Sequence, residues 1–507
     1  MTVDDTVNNI IGISSTWIWY VAFVFIVGFS IFATYKSRCI QINKLGEACK
    51  VSFTDVKQNN EKHISSFQAF CVSMGACIGV GNIAGVATAI VMGGPGAVFW
   101  MWVFAIIGAA TSLIENTIGQ IYKEKKSDGY FGGPAYYIKN GLGKPKLAIL
   151  MALLTVTTYG LSFTGVQANQ ASNSLQIAFS EVFEGMTVTI SGISIDILPL
   201  VIGGILAILT AAIIFGGSRR VAQVSTWLVP AMAILWMALA AILILVKFTQ
   251  VSAVIETIFS YAFGAQAFVG GGIGTMLMWG LRRSVFAHEA GIGSIPNVSA
   301  SAHVNHPVKQ GLTQSLGVLI DTLVVCTATA FIVIMYTNVK YPFYDFAKQG
   351  IDSSLAGSPL VSDALSETFL GGVAPHILAV FILIFAFSSI ISYYSMCESN
   401  VKFITEKKGA ILVMRIALVL MVFFSSMWSM TLSWDLADIA QALLAIFNIT
   451  IIIFLAKHAW SAINDYFKQK ANGIEEPIFD PTVLSSQNGV TCWPPKEEED
   501  IPNKDIQ

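Results

Sequence analysis

Eleven stretches of this chain are apolar over roughly the 20 residues that a helix needs to cross a bilayer, and that repetition limits the fold more than any other feature. They run over about 17–35, 67–91, 97–121, 147–179, 197–215, 224–246, 254–280, 311–337, 374–401, 410–430 and 435–460. Composition agrees: 12% of residues are charged, where a soluble globular chain carries about 25%. An all-α integral membrane protein is predicted, with the lipid bilayer as its solvent. Net charge is −2, so nothing suggests a nucleic-acid partner. The seven cysteines follow no metal-ligand or CxxC spacing. The N-terminus lacks the basic region and cleavage site of a signal peptide, so the first apolar run is read as a retained helix.

Basic residues concentrate in alternate connections, which sets orientation. Segments 36–64 and 122–146, Arg219 with Arg220, Arg282, Arg283 and Lys309, and Lys402, Lys407, Lys408 and Arg415 fall on one side. The opposite connections hold only Lys247, Lys340 and Lys348 among basic residues, with a series of acids. This alternation predicts an N-terminus outside and a C-terminus in the cytoplasm, in the cell (inner) membrane. The tail after about 468 is polar, proline-bearing and acidic, and reads as solvated and poorly ordered.

Two spans read poorly as continuous helices. Ser73–Gly85 carries four glycines and Asn82 in the middle of an apolar run, and Phe268–Gly274 carries Gly270, Gly271 and Gly272 in succession. Three consecutive glycines cost a helix interior roughly 3 kcal/mol, and free backbone at membrane depth is tolerated only inside protein or along a cavity. The breaks fall in the second and seventh spans. With the first span set aside, each opens a set of five, and five being odd, the sets have opposite topology. The chain therefore divides into an extra N-terminal helix with its connection (1–66), a first five-helix repeat (67–250), a second (251–467) and a tail (468–507). The competing reading is that the glycines only let helices pack closely; matched placement of both breaks argues against it. A half-helix starting near Val80 and Gly81 offers free N–H groups and a positive dipole end to a carboxylate. Carbonyls freed near Ile78 and Gly270–Gly272 suit an ammonium group or Na⁺, a hard cation that takes oxygen ligands.

Six blocks in these spans resemble the alanine/glycine:cation symporter family: GVGNIAGVATAI (Gly79–Ile90), GGPGAVFWMW (Gly93–Trp102), GGPAYY (Gly132–Tyr137), HEAGIGS (His288–Ser294), HPVKQG (His306–Gly311) and GVLIDT (Gly317–Thr322). The resemblance implies the leucine-transporter-like fold of the amino acid-polyamine-organocation superfamily, and Na⁺-coupled symport of alanine, glycine or a similar small neutral amino acid by alternating access. No organic cofactor is implied, and a monomer is the expected unit. Carried over, Gly75, Ile78 and Phe385 would give backbone oxygens to Na⁺, with the hydroxyls of Ser388 and Ser389. The N–H groups of Val80 and Gly81 would meet the substrate carboxylate, beside Asn82. Gln167, Ser389 and Tyr393 would line the pocket, with Gly270 and Gly271 at the second break. The chain departs from the family pattern at three places: Tyr393 stands where Trp is usual, Val80 where Thr is usual, and the usual Ser-Asn-Glu-Ala-Gly reads Ala287-His-Glu-Ala-Gly291.

Intramembrane acids cost roughly 2.5–3.5 kcal/mol on insertion scales and mark function by default. Glu115 is read as a buried hydrogen-bonding group that could brace the first broken helix. Asp321 is read as acting on the cation or anchoring the second broken helix. His288 and Glu289, near Arg282 and Arg283, are read as the cytoplasmic end of the seventh span, either a gate of charged pairs or a helix end with screened pairs, and His288 could add pH dependence. A channel would need a filter repeated by symmetry, and an enzyme a nucleophile or metal motif; neither is present in the sequence. A proton-coupled or glutamine-type carrier is the rival within the transporter class.

Overall fold

The structure, a computed structural model, describes residues 3–54, 64–127, 129–183, 186–190, 193–263, 272–337 and 353–493. Among these, nine helices are long and apolar enough to cross a membrane. The principal helices are α1 Val3–Lys36, α2 Ser66–Cys77, α3 Ala84–Gly93, α4 Gly96–Ile121, α5 Pro145–Thr157, α6 Thr164–Phe183, α7 Ile197–Ile214, α8 Gly217–Val246, α9 Val251–Phe263, α10 Gly272–His288, α11 Pro296–Ser299, α12 Pro307–Leu319, α13 Thr327–Thr337, α14 Ser358–Ser366, α15 Ala374–Ile404, α16 Lys408–Ser425 and α17 Met430–Ala471. Two short antiparallel hairpins, Glu124–Lys126 with Gly129–Phe131 and Thr187–Ile190 with Ile193–Asp196, complete an essentially all-α architecture.

Nine of the eleven expected spans correspond to these long helices. The other two are not single helices. The run 67–91 is split into α2 and α3, and 254–280 into α9 and α10, with 264–271 outside the described residues. The expected break at Phe268–Gly274, with Gly270 and Gly271, therefore falls almost wholly outside them. The chain is also interrupted after α10, at residues 289–295.

Two of the long spans pass through a π-helical segment, Thr158–Phe163 between α5 and α6 and Ile320–Cys326 between α12 and α13. Each shifts the helix register, a device common at functional sites. Burial sorts the helices. α12 is buried throughout and α2 and α3 over most of their length, whereas α7, α8 and α16 expose Ile205, Ile208, Ile234, Leu235 and Val413, the apolar face a bilayer requires. Within the buried set, α12 packs along α4, and α1 lies along α17.

The tail departs from expectation. Helix α17 extends to Ala471, and residues 472–493 fold back onto the helix ends: most of their side chains face solvent, but Phe479, Leu484 and Trp493 are buried. Trp493 Nε1 donates to Gln120 O at 3.0 Å, Phe479 N to Asn305 O at 3.0 Å, and His458 Nε2 meets Ser485 Oγ at 3.0 Å. A few well-spaced apolar residues suffice to dock a polar segment, and average polarity conceals them.

Candidate functional site

Helix α2 starts from a capping box, Ser65 Oγ accepting from Gln68 N and Gln68 Oε1 from Ser65 N, each at 3.1 Å. It stops at Cys77, where Ile78 (ψ 84°) turns out of the helix and Gly79 is extended. A single 3-10 turn, Val80–Asn82, leads into α3. Close approach demands glycine here: a Cβ on Gly79 would lie 2.3 Å from Ser389 Oγ, and one on Gly81 would lie 2.8 Å from Phe286 Cδ1.

Side chains from three other elements hold this break. Asn82 Oδ1 accepts from Gly79 N at 3.0 Å, while its Nδ2 donates to Asp321 Oδ1 at 2.6 Å. Gln167 Oε1 accepts from Val80 N at 3.2 Å, and Gln167 Nε2 donates to Tyr393 Oη at 3.0 Å. Tyr393 Oη donates to Ala76 O at 3.4 Å, and Ser389 Oγ to Gly75 O at 2.9 Å. The Gly81 N–H has no acceptor among the described residues. Ser388 Oγ is fully buried with no hydrogen bond among the described residues and lies beside Gly75, where an added Cβ would meet it at 3.0 Å. Phe385 is buried one turn before Ser389 on α15. Gly75, Ile78, Val80, Gly81, Asn82, Gln167, Phe385, Ser388, Ser389 and Tyr393 are thus gathered around one break. In this arrangement the carboxamide oxygen of Gln167 takes the Val80 donor expected to meet a substrate carboxylate.

The second interruption faces the first. Gly81 abuts Phe286 and Ala287 at the end of α10. Beyond His288 the backbone is left-handed at Glu289 (φ 55°), Gly291 (φ 86°) and Gly293 (φ 83°), all buried. Glu115 Oε1 accepts from Gly291 N at 3.0 Å, and Asn448 Nδ2 donates to both Glu115 Oε2 and Gly291 O at 3.0 Å. Glu289 Oε2 accepts from Tyr159 Oη at 3.2 Å.

Three expectations change accordingly. Glu115 braces the second interruption, not the first. Asp321 bonds Asn82 of the first broken segment. His288 and Glu289 are buried inside the protein and pair with neither arginine: His288 Nδ1 accepts from Ala290 N at 3.0 Å. Arg282 and Arg283 turn the other way, to Asp438 on α17; Arg282 Nη1 is 3.6 Å from Asp438 Oδ2, and Arg283 bonds Asp438 Oδ1 directly. The Arg283 guanidinium also lies 4.4 Å from the Trp434 ring, a cation–π contact.

An aromatic wall joins the two breaks, and none of its other members was anticipated. Tyr159 packs on Tyr393 (5.1 Å between centroids) and Phe163 (4.8 Å), Phe163 stacks on Phe286 (4.8 Å), and Phe286 packs on Trp434 (4.9 Å). Tyr159 and Phe163 come from the π segment between α5 and α6, which no sequence pattern announces. Asp438 could have been found, because it is an acid inside the eleventh apolar run, as Glu115 and Asp321 are in theirs.

The two ends of the site differ. The Arg283–Asp438–Trp434 cluster is buried. Toward the other end lies an open cavity of about 730 Å³ lined in part by Val72, Lys125, Arg219, Glu398, Lys402 and Arg415. There Glu398 gathers Ser218 N (3.0 Å), Lys402 Nζ (3.2 Å) and Arg415 Nη2 (3.6 Å).

Residues 4–481 match the family model described as the sodium:alanine symporter family. The chain is 38% identical over 501 residues to a "Probable sodium/glutamine symporter GlnT" of Bacillus subtilis (strain 168), covering 98% of this chain and 99% of that one. It is 37% identical to the "Amino-acid carrier protein AlsT" of the same organism (97% and 99% covered) and 33% identical to the "Sodium/alanine symporter AgcS" of Methanococcus maripaludis (85% and 91%). A crystal structure of MhsT in complex with L-phenylalanine shares the fold at a TM-score of 0.55 and 18% identity, covering 78% of this chain and 89% of that one.

Proposed function

The chain belongs to the sodium:alanine symporter family, and from that premise we propose how its two interrupted helices divide the cargo. It is a multi-pass membrane protein and a secondary active, sodium-coupled amino-acid symporter, not an enzyme. The reading is carried by one observation: Gly81 of the first interruption abuts Phe286 and Ala287 where the second begins, which puts the unbonded Gly81 N–H beside the second interruption in a buried place.

The substrate carboxylate takes the N–H groups of Gly81 and Val80, displacing the Gln167 oxygen, which then turns to the substrate. Sodium takes the carbonyl oxygens of Gly75, Ile78 and Phe385 with Ser388 Oγ and Ser389 Oγ; the buried, unpartnered Ser388 hydroxyl supports this. The crowding at Gly79 favours a small side chain, alanine or glycine. The similarity to a probable glutamine symporter, together with Tyr393 in place of a larger Trp, favours the competing reading of a glutamine carrier.

Two inverted five-helix repeats account for the helix list: each interrupted element is followed by four long helices, α4 to α8 in one case and α12 to α17 in the other, with α1 extra. On the positive-inside rule the lysine-lined cavity opens to the cytoplasm and the N-terminus lies outside. The arrangement described is then inward-facing, with the Arg283–Asp438–Trp434 cluster closing the outer path.

The test is uptake into proteoliposomes across a panel of labelled amino acids, with Na⁺, Li⁺ or proton gradients imposed separately. Alanine and glycine uptake driven by Na⁺ is expected, and S388A with S389A should abolish Na⁺ stimulation while leaving the protein in the membrane. Undiminished stimulation in that variant rules out the ion site; preference for glutamine selects the competing substrate.

A further inference from the structure

Three acids are buried around the interruptions, and they are not equally provided for. Asp321 receives Asn82 Nδ2 and Thr322 Oγ1, and Glu115 receives the Gly291 N–H and Asn448 Nδ2. Glu289 is fully buried; Tyr159 Oη donates to its Oε2 at 3.2 Å, the Ser294 hydroxyl lies beside it, and its Oε1 has no hydrogen-bond partner among the described residues. The buried arginines of α10 are committed to Asp438. A carboxylate stripped of water and met only by hydroxyls is costly, and among the described residues no cationic side chain meets this one.

Its backbone points the same way. Glu289 holds a left-handed φ of 55°, a conformation that costs a non-glycine residue of order 1–3 kcal/mol and clusters at ligand sites. The position keeps a carboxylate where glycine would fit with less strain. Tyr159 leads to the pocket: its ring packs on Tyr393, whose hydroxyl lies on Ala76 O beside the first break.

We propose that Glu289 is the acceptor for the substrate's α-ammonium group, completing a zwitterion clamp whose carboxylate half is the Val80–Gly81 amide pair. This rests on the amino-acid reading above and deepens it. The specificity that follows is for a charged amine: a 2-hydroxy acid of the same size keeps the carboxylate contact but offers Glu289 no cation.

The experiment is competition binding to the purified full-length protein in saturating Na⁺, with alanine and lactate as probes and the wild type as control. In E289Q, alanine should bind about ten- to hundredfold more weakly, the worth of one buried charge-assisted hydrogen bond, with lactate binding unchanged. Y159F, which keeps the carboxylate, should retain the preference for alanine over lactate. Unchanged alanine affinity in E289Q overturns the proposal. So does a proportional loss of alanine and lactate, the mark of a structural role, and so does a loss confined to Na⁺ dependence, the mark of an ion ligand. Should E289Q not survive purification, E289D decides: weaker alanine binding with the preference kept supports the clamp, and unchanged affinity overturns it. A wild type that binds no alanine in Na⁺ but binds glutamine refutes the small-substrate reading without touching Glu289, because the same pair of variants can be repeated with glutamine.

Discussion

The two interruptions solve one problem with opposite chemistry. The first, Cys77 to Ile83, is made by glycine close approach and held by neutral carboxamides and hydroxyls, Asn82, Gln167, Tyr393 and Ser389, with Asp321 reached only through Asn82. The second, residues 289–295, is made by left-handed backbone and held by Glu115, with Glu289 in its own turn. The first therefore offers peptide dipoles with little fixed charge, and the second buried carboxyl groups with few free dipoles. A cargo that is neutral overall but charged at both ends needs both kinds of surface.

That contrast can be broken at several points. The largest effect is expected at the entrance to the second interruption. D438N leaves Arg283 buried with its charge uncompensated, a loss of about 3–5 kcal/mol, seen as a sharp drop in melting temperature in detergent. A variant as stable as the wild type would mean that the cluster is open to water. Next is G79A. Overpacking against Ser389 costs about 1–3 kcal/mol, so Na⁺-driven uptake should fall by up to about hundredfold. An active G79A would show that the first break tolerates a side chain as the second tolerates Glu289.

N448A comes third. It leaves Gly291 O without its donor and costs about 1–3 kcal/mol, expected as a lower melting temperature with the Na⁺ dependence of uptake unchanged. A shift in Na⁺ affinity would couple the two interruptions more tightly than their separate braces imply. The last effect lies outside both. Burial pushes the Lys123 ammonium down to about 7 from an ordinary 10.5. Between those values the unfolded chain binds the extra proton, so stability should rise with pH from about 7 to 10.5. K123M should flatten that slope in melting curves while the interruptions behave as before.

The spans and the first break were legible because length and misplaced glycine are local signals. Ser73–Gly85 stood out against an otherwise apolar run. The interruption at 289–295 was not anticipated, for two physical reasons: the spaced Gly291 and Gly293 are a weaker helix-breaking signal than the consecutive Gly270–Gly272, and Arg282 with Arg283 suggested a helix end in headgroups. The arginines are buried instead because Asp438, distant in sequence, supplies their counter-charge. Tyr159, Phe163 and Phe286 were missed because an aromatic in an apolar helix carries no sign of which face it uses. The residues gathered at the first break, from Gly75 to Tyr393, came from resemblance, and their assignment to sodium and substrate awaits the uptake and binding measurements above.

The folded-back segment at the end of α17 has a mechanical consequence. Through Trp493 it holds the end of α4, through Phe479 the connection after α11, through a Glu476–Lys309 ion pair the start of α12, and through Ser485 the shaft of α17 itself. Two helix ends, a connection and a helix shaft are stitched by one thread, so the lower half of the second interruption cannot swing alone: either the bundle tilts as a unit beneath α2, or the stitch slips first.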